Sequence, residues 1–134
     1  MGDIQTDEGE ALELLYVPPR EFRRVIHSKG SAVLKARAFA ALARINTLYM
    51  IMRAGSGHIG SSFSSTDLIT WLWTRELKAP NSGEPGSDVY FSSKGHDAPA
   101  FYSLLIALEK LDFDLVHKLR QLNGLPGHPD VAVD

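Results

Sequence analysis

Five histidines stand in this chain, and three of them directly follow a glycine: Gly57-His58, Gly95-His96 and Gly127-His128. Each pair falls between segments that read as regular elements. Glycine lets a backbone approach a ligand closely or adopt φ > 0, and loops at the ends of packed elements are where sites are usually built. A histidine so placed can donate to an anionic oxygen or exchange a proton with a hydroxyl near neutral pH. Three turn histidines satisfied by water or backbone are the alternative, and the residues alone leave both readings open. His27 and His117 lack the glycine, and His117 falls inside a helical pattern. Both are expected to be surface or internally satisfied residues.

Other chemistries find less support. A three-histidine metal site is the obvious rival. However, His58, His96 and His128 are far apart in sequence, and there is no His-Glu-x-x-His run or Walker-type phosphate loop. Gly55-x-Gly57-x-x-Gly60 matches a bare dinucleotide pattern but follows a predicted helix, not the strand that pattern requires. Ser61, Ser62, Ser64 and Ser65 have no general base at a recognisable spacing. The chain has no cysteine, which excludes disulfides, thiolate metal sites and cysteine nucleophiles. A net charge of −2 gives no electrostatic reason to expect nucleic acid or an anionic membrane as partner. No apolar run approaches the roughly 20 residues of a membrane span, and the acidic start (Asp3, Asp7, Glu8, Glu10, Glu13) is the reverse of a secretory signal. A cytoplasmic protein is expected.

The elements that must position the three histidines can be read in order. Residues 1–19 form an acidic leader, expected to be loosely attached, in which Pro18-Pro19 stops any helix over 11–16. The domain proper is expected over 20–134. The cluster Arg20, Arg23, Arg24, Lys29, Lys35 and Arg37 reads as the solvated face of a helix. A helix is predicted over 31–53, with Leu34, Ala38, Ala41, Leu42, Ile45, Leu48 and Met52 as its apolar stripe. A second is predicted to start after Ser64, with Asp67 completing a capping box. An irregular loop follows over 80–86, then a strand at Val89-Tyr90-Phe91. Asp97 is expected to cap a third helix, with Pro99 in its first turn. A fourth, capped by Asp112 or Asp114, should carry Leu115, Leu119 and Leu122 and end at Gly124. A single strand leaves both edges unpaired, so it must pair outside this chain or fail to form.

Three runs carry a family resemblance. SGHIG with the helix STDLITWLW is similar to the first loop and helix of transketolases. DVYFSSKGHDAPAFYSLL resembles their strand, Gly-His loop and following helix, and LRQLNGLPGHPD resembles their later helix and Gly-His-Pro loop. Order and spacing agree over residues 34–130. The resemblance implies an α/β fold, the N-terminal and mostly helical part of a doubly wound thiamine-diphosphate-binding domain with little of its parallel sheet. It also implies transfer of a two-carbon ketol unit between sugar phosphates, as in pentose phosphate metabolism. His96 would contact the cofactor diphosphate, while His58 and His128 would line the substrate channel and handle hydroxyl protons.

The Lys-Gly-His and Gly-His-Pro-Asp runs look like transketolases encoded as two subunits. Ile59, where transketolases usually carry proline, looks more like the decarboxylating component of pyruvate dehydrogenase. A non-catalytic binding module derived from the family is a third reading. The family's Gly-Asp-Gly run, which binds diphosphate and magnesium, does not occur in these 134 residues. The Mg2+ ligands are therefore expected outside this chain. A complementary subunit or remaining domains, in a dimer, are the expected partners. The chain alone is expected to be inactive and prone to associate, with Phe63, Trp71, Trp73 and Phe101 partly exposed.

Overall fold

The computed structural model describes residues 3–5 and 11–128, with side chains from Glu13 onward. Asp7, Glu8 and Glu10 of the acidic leader, and Pro129-Asp130 of the last resembling run, lie outside the described residues. The molecule is mostly helical. Its one sheet among the described residues is an antiparallel pair, β1 (Asp3–Gln5) with β2 (Ala11–Glu13). Four helices follow: α1 (Pro19–His27), α2 (Ala32–Ala54), α3 (Ile59–Trp71) and α4 (Ala98–Ala107). None of them is long and apolar enough to cross a membrane.

α2 is the longest element and the scaffold for the rest. Ser31 caps it by accepting from Leu34 N, and Gly55 ends it in the left-handed region at φ 71°. These bounds match the predicted 31–53, but the orientation does not. Ala36, Phe39, Ala40, Ala43, Asn46, Thr47, Met50 and Ile51 are buried. Most of the expected stripe faces outward instead: Leu34 is 61% exposed, Ile45 42%, Leu48 40% and Met52 36%, while Leu42 packs partly buried against the core. The reason is close packing. α4 is apolar on nearly every side and buried along its length, so it needs a neighbour with small residues. The alanine face of α2 meets that need, and Ser103 Oγ donates to Ala43 O at 2.8 Å across the contact.

α1 begins where a stop was expected. Pro19 occupies the first helical position, where a missing N–H costs nothing. Just before it, Val17 is buried and hydrogen-bonded on both sides by one side chain. Val17 N donates to Asn46 Oδ1 at 2.6 Å, and Asn46 Nδ2 donates to Val17 O at 3.0 Å. The last residues of the leader are thus packed onto α2. Phe22 and Phe39 meet edge to face, with ring centroids 4.9 Å apart, and hold α1 to α2.

Three further expectations are corrected. α3 starts at Ile59, six residues before the predicted start, and its serines bond back to the helix's own carbonyls: Ser64 Oγ to Ser61 O, and Ser65 Oγ to Ser62 O. Asp67 caps nothing and pairs with Arg44. Val89-Tyr90-Phe91 forms no strand among the described residues, and Val89 and Phe91 are 80% and 82% exposed. It is held only through Tyr90, whose N–H donates to Asn81 Oδ1 at 2.7 Å. The predicted fourth helix is a single 3-10 turn, Phe113–His117, capped by Asp112. Arg120 and Asn123 then take positive φ, which no helix allows.

Trp73, expected to be partly exposed, is buried in a π turn (Leu72–Glu76) that extends α3. Its ring packs on Phe101 at 5.5 Å and Tyr90 at 5.8 Å. Phe63, Trp71 and Phe101 are half-buried, as expected.

Candidate functional site

The three Gly-His loops meet at one place. His58 stands at the amino end of α3, and His96 lies in a 3-10 turn (Gly95–Asp97) that leads into α4. His128 follows the turns that end the described chain. The His58 and His96 ring centroids are 4.2 Å apart, tilted by 32°, and those of His96 and His128 are 5.3 Å apart. His96 is therefore the central ring, and all three are exposed. His27 and His117 are not part of the group.

The glycine before His96 has a steric cause. A Cβ on Gly95 would lie 2.5 Å from His128 Cδ2, so any side chain there pushes the third histidine away. Two further contacts tie the loops together. Arg120 Nη1 donates to Ser56 Oγ at 2.7 Å, joining the first loop to the third. Ser61 Oγ lies 3.4 Å from both His58 O and His96 O, bridging the first two. Ser56 and Arg120 were not singled out from sequence. They are 64 residues apart, and only the fold brings them together.

The electrostatics favour an anion. α3 begins directly after His58, and the backbone N–H groups of its first turn carry partial positive charge. Asp97 stands at the start of α4 and is buried, but its carboxylate makes no capping bond, contrary to expectation. The Arg120 guanidinium adds a full positive charge. Exposed imidazoles and a guanidinium beside a helix amino end suit the oxygens of a phosphate or diphosphate. Among the described residues, no group of three His, Asp or Glu side chains is placed to hold a metal ion.

His117 behaves as expected of an internally satisfied residue. Its Nδ1 lies 2.7 Å from Tyr49 OH, and its ring packs against Tyr16, Tyr49 and Phe113. Burial, aided by the Arg53 charge, holds it below the ordinary histidine value. A surface groove of about 810 Å³ lies between Tyr16–Pro18, α1 and α2, and no histidine lines it.

Residues 35–134 match the transketolase thiamine-diphosphate-binding domain, and the chain belongs to that family. It is 35% identical over 88 residues to the 6-deoxy-6-sulfo-D-fructose transketolase subunit SqwG of Clostridium sp. (strain MSTE9), covering 63% of this chain and 32% of that protein. It is 32% identical over 100 residues to a transketolase of Buchnera aphidicola subsp. Schizaphis graminum, covering 72% of this chain and 15% of that protein. It is 33% identical over 89 residues to the transketolase of Mus musculus, covering 64% of this chain and 14% of that protein. The chain thus spans a third or less of the length of these relatives. No solved structure matches.

Proposed function

We propose that this chain is one portion of a thiamine-diphosphate-dependent transketolase, moving a two-carbon ketol unit between sugar phosphates once the remaining segments are supplied. The observation that carries the proposal is the convergence of the three Gly-His loops, with centroid spacings of 4.2 and 5.3 Å. One relative is itself described as a subunit, which favours completion by a second polypeptide.

Thiamine diphosphate, when bound, supplies the carbanion and the electron sink for breaking and making the carbon–carbon bond. This chain's residues bind, orient and move protons. His96, at the amino end of α4, donates an N–H to a diphosphate oxygen. His58 and His128, on either side of it, take and return the hydroxyl protons of the donor and acceptor sugars. Arg120 and Ser56 hold the first and third loops at the spacing these transfers need. Ligands for Mg2+ belong to segments outside these 134 residues, as does most of the parallel sheet of the doubly wound domain. A cytoplasmic site of action goes with this reading, and the absence of cysteine is compatible with a reducing compartment.

The test is two-carbon transfer from a ketose phosphate to an aldose phosphate. It is measured with the chain alone and with a polypeptide carrying the rest of the enzyme from the same source. Turnover is expected only from the mixture. Turnover by the chain alone would contradict the incomplete-subunit reading, and none from a folded mixture would contradict the transferase reading.

A further inference from the structure

Between α1, α2 and the π turn lies a cavity of about 390 Å³ that the proposed function does not use, and no histidine lines it. Its volume falls within the range of small-molecule sites. Val25 and Ile26 of α1, Ala36 and Phe39 of α2, Trp73 of the π turn and Leu108, just past α4, supply its apolar walls. π turns are rare and frequently mark functional sites. This one brings Trp73, Thr74 and Arg75 to the cavity wall.

The charges on the wall are of one sign. Lys35 and Arg75 line the cavity, and no carboxylate does. Arg75 has no hydrogen bond or ion pair among the described residues. Lys35 spends one of its N–H donors on Ile26 O, at 3.1 Å, and keeps the others. Trp73 is 8% exposed, and its Nε1–H is buried without an acceptor among the described residues. A buried donor in that state costs free energy that an incoming acceptor returns. The other indole is satisfied, because Trp71 Nε1 donates to Glu76 Oε1 at 2.8 Å.

We infer that this cavity is a binding site for a small aromatic carboxylate. The ligand's ring packs against the apolar wall, where Phe39 and Trp73 offer aromatic partners, and its burial removes apolar surface from water. Its carboxylate pairs with the Arg75 guanidinium, whose planar fork matches two oxygens, and with Lys35. An aromatic amine would meet two like charges and no partner. A small inorganic anion would leave the apolar wall uncovered. Because the ligand touches α1, α2 and the π turn together, binding ties these elements to one another, and stability rises with its concentration. The site is separate from the three histidines, and the inference does not rest on the transketolase reading.

The test titrates phenylpropionate into the full chain while the indole N–H resonances of Trp71 and Trp73 are followed. Saturable binding is expected, with a dissociation constant of roughly 0.1 to 1 mM for a ligand this small. The Trp73 resonance should shift, and the Trp71 resonance should stay, since its acceptor is already in place. Arg75→Gln should weaken binding by about tenfold or more, the worth of a hydrogen bond between charged groups. Arg75 is exposed, so this variant should keep the fold, as circular dichroism will check. Arg37→Gln, at an exposed cation outside the cavity, should leave binding unchanged. Acetate and phenylpropylamine should give no saturable shift. A Trp73 resonance unmoved up to about 10 mM phenylpropionate would overturn the inference. So would an equal response to the amine or to acetate, or binding indifferent to Arg75→Gln.

Discussion

At the scale of single residues, the site depends on how closely two loops approach. The Cβ of Gly95→Ala would collide with the His128 ring, so the substitution should displace His128 and cost about 1–3 kcal/mol of stability, read from urea midpoints. In the completed enzyme, His96→Ala should weaken cofactor binding by roughly 10- to 100-fold, the worth of a hydrogen bond to a charged group. His58→Ala and His128→Ala should instead lower kcat by about 10²-fold or more, with cofactor affinity little changed. His117 makes a separate prediction. Its folded value lies below the ordinary 6.5, so the unfolded chain takes up the proton first as pH falls. Its contribution to stability is complete above pH 6.5 and is lost as pH drops through the folded value. Melting temperature should fall from pH 7.5 to pH 5.5, and less steeply in His117→Gln. The three Gly-His pairs were legible in sequence because each is a dipeptide pattern, although the cause of Gly95, the approach of His128, is not local. The Ser56–Arg120 bond was not, because nothing near either residue marks the other.

At the scale of elements, helix positions were more legible than helix orientation. α2 was readable from its alanines, its Ser31 cap and Gly55. Its buried side was not, because both sides are apolar and the choice was made by α4, which needs small residues opposite it. The start of α3 was misread because serines in a helix look like caps when their bonds to preceding carbonyls are unseen. Val89–Phe91 has the residues of a strand, but a strand exists only with a partner to complete its ladder. Asn46 is the element-scale counterpart of these cases. A buried polar residue in mid-helix reads as a defect, yet it supplies both hydrogen bonds to Val17 and docks the segment leading to α1. Asn46→Ala should cost about 1–3 kcal/mol, because Val17 N and O are left buried and unpaired. The loss should appear as faster amide exchange at Val17 before global unfolding.

At the scale of the whole molecule, the described residues build a helical unit with the proposed cofactor-facing loops at one end. Unpaired apolar residues such as Val89, Phe91 and Leu68 remain elsewhere on its surface. Such a unit can present donors to an anion. The account's central claim is therefore that His96, with His58 and His128 on either side of it, recognises the diphosphate, weakly, before completion. The most direct measurement follows the imidazole resonances of the chain during titration with thiamine diphosphate and Mg2+, and separately with thiamine. The account predicts that His58, His96 and His128 shift together with thiamine diphosphate and not with thiamine. It predicts that His27 and His117 stay fixed, and that His96→Ala abolishes the response at the other two. Unmoved site histidines, or the same shifts with thiamine alone, would contradict it.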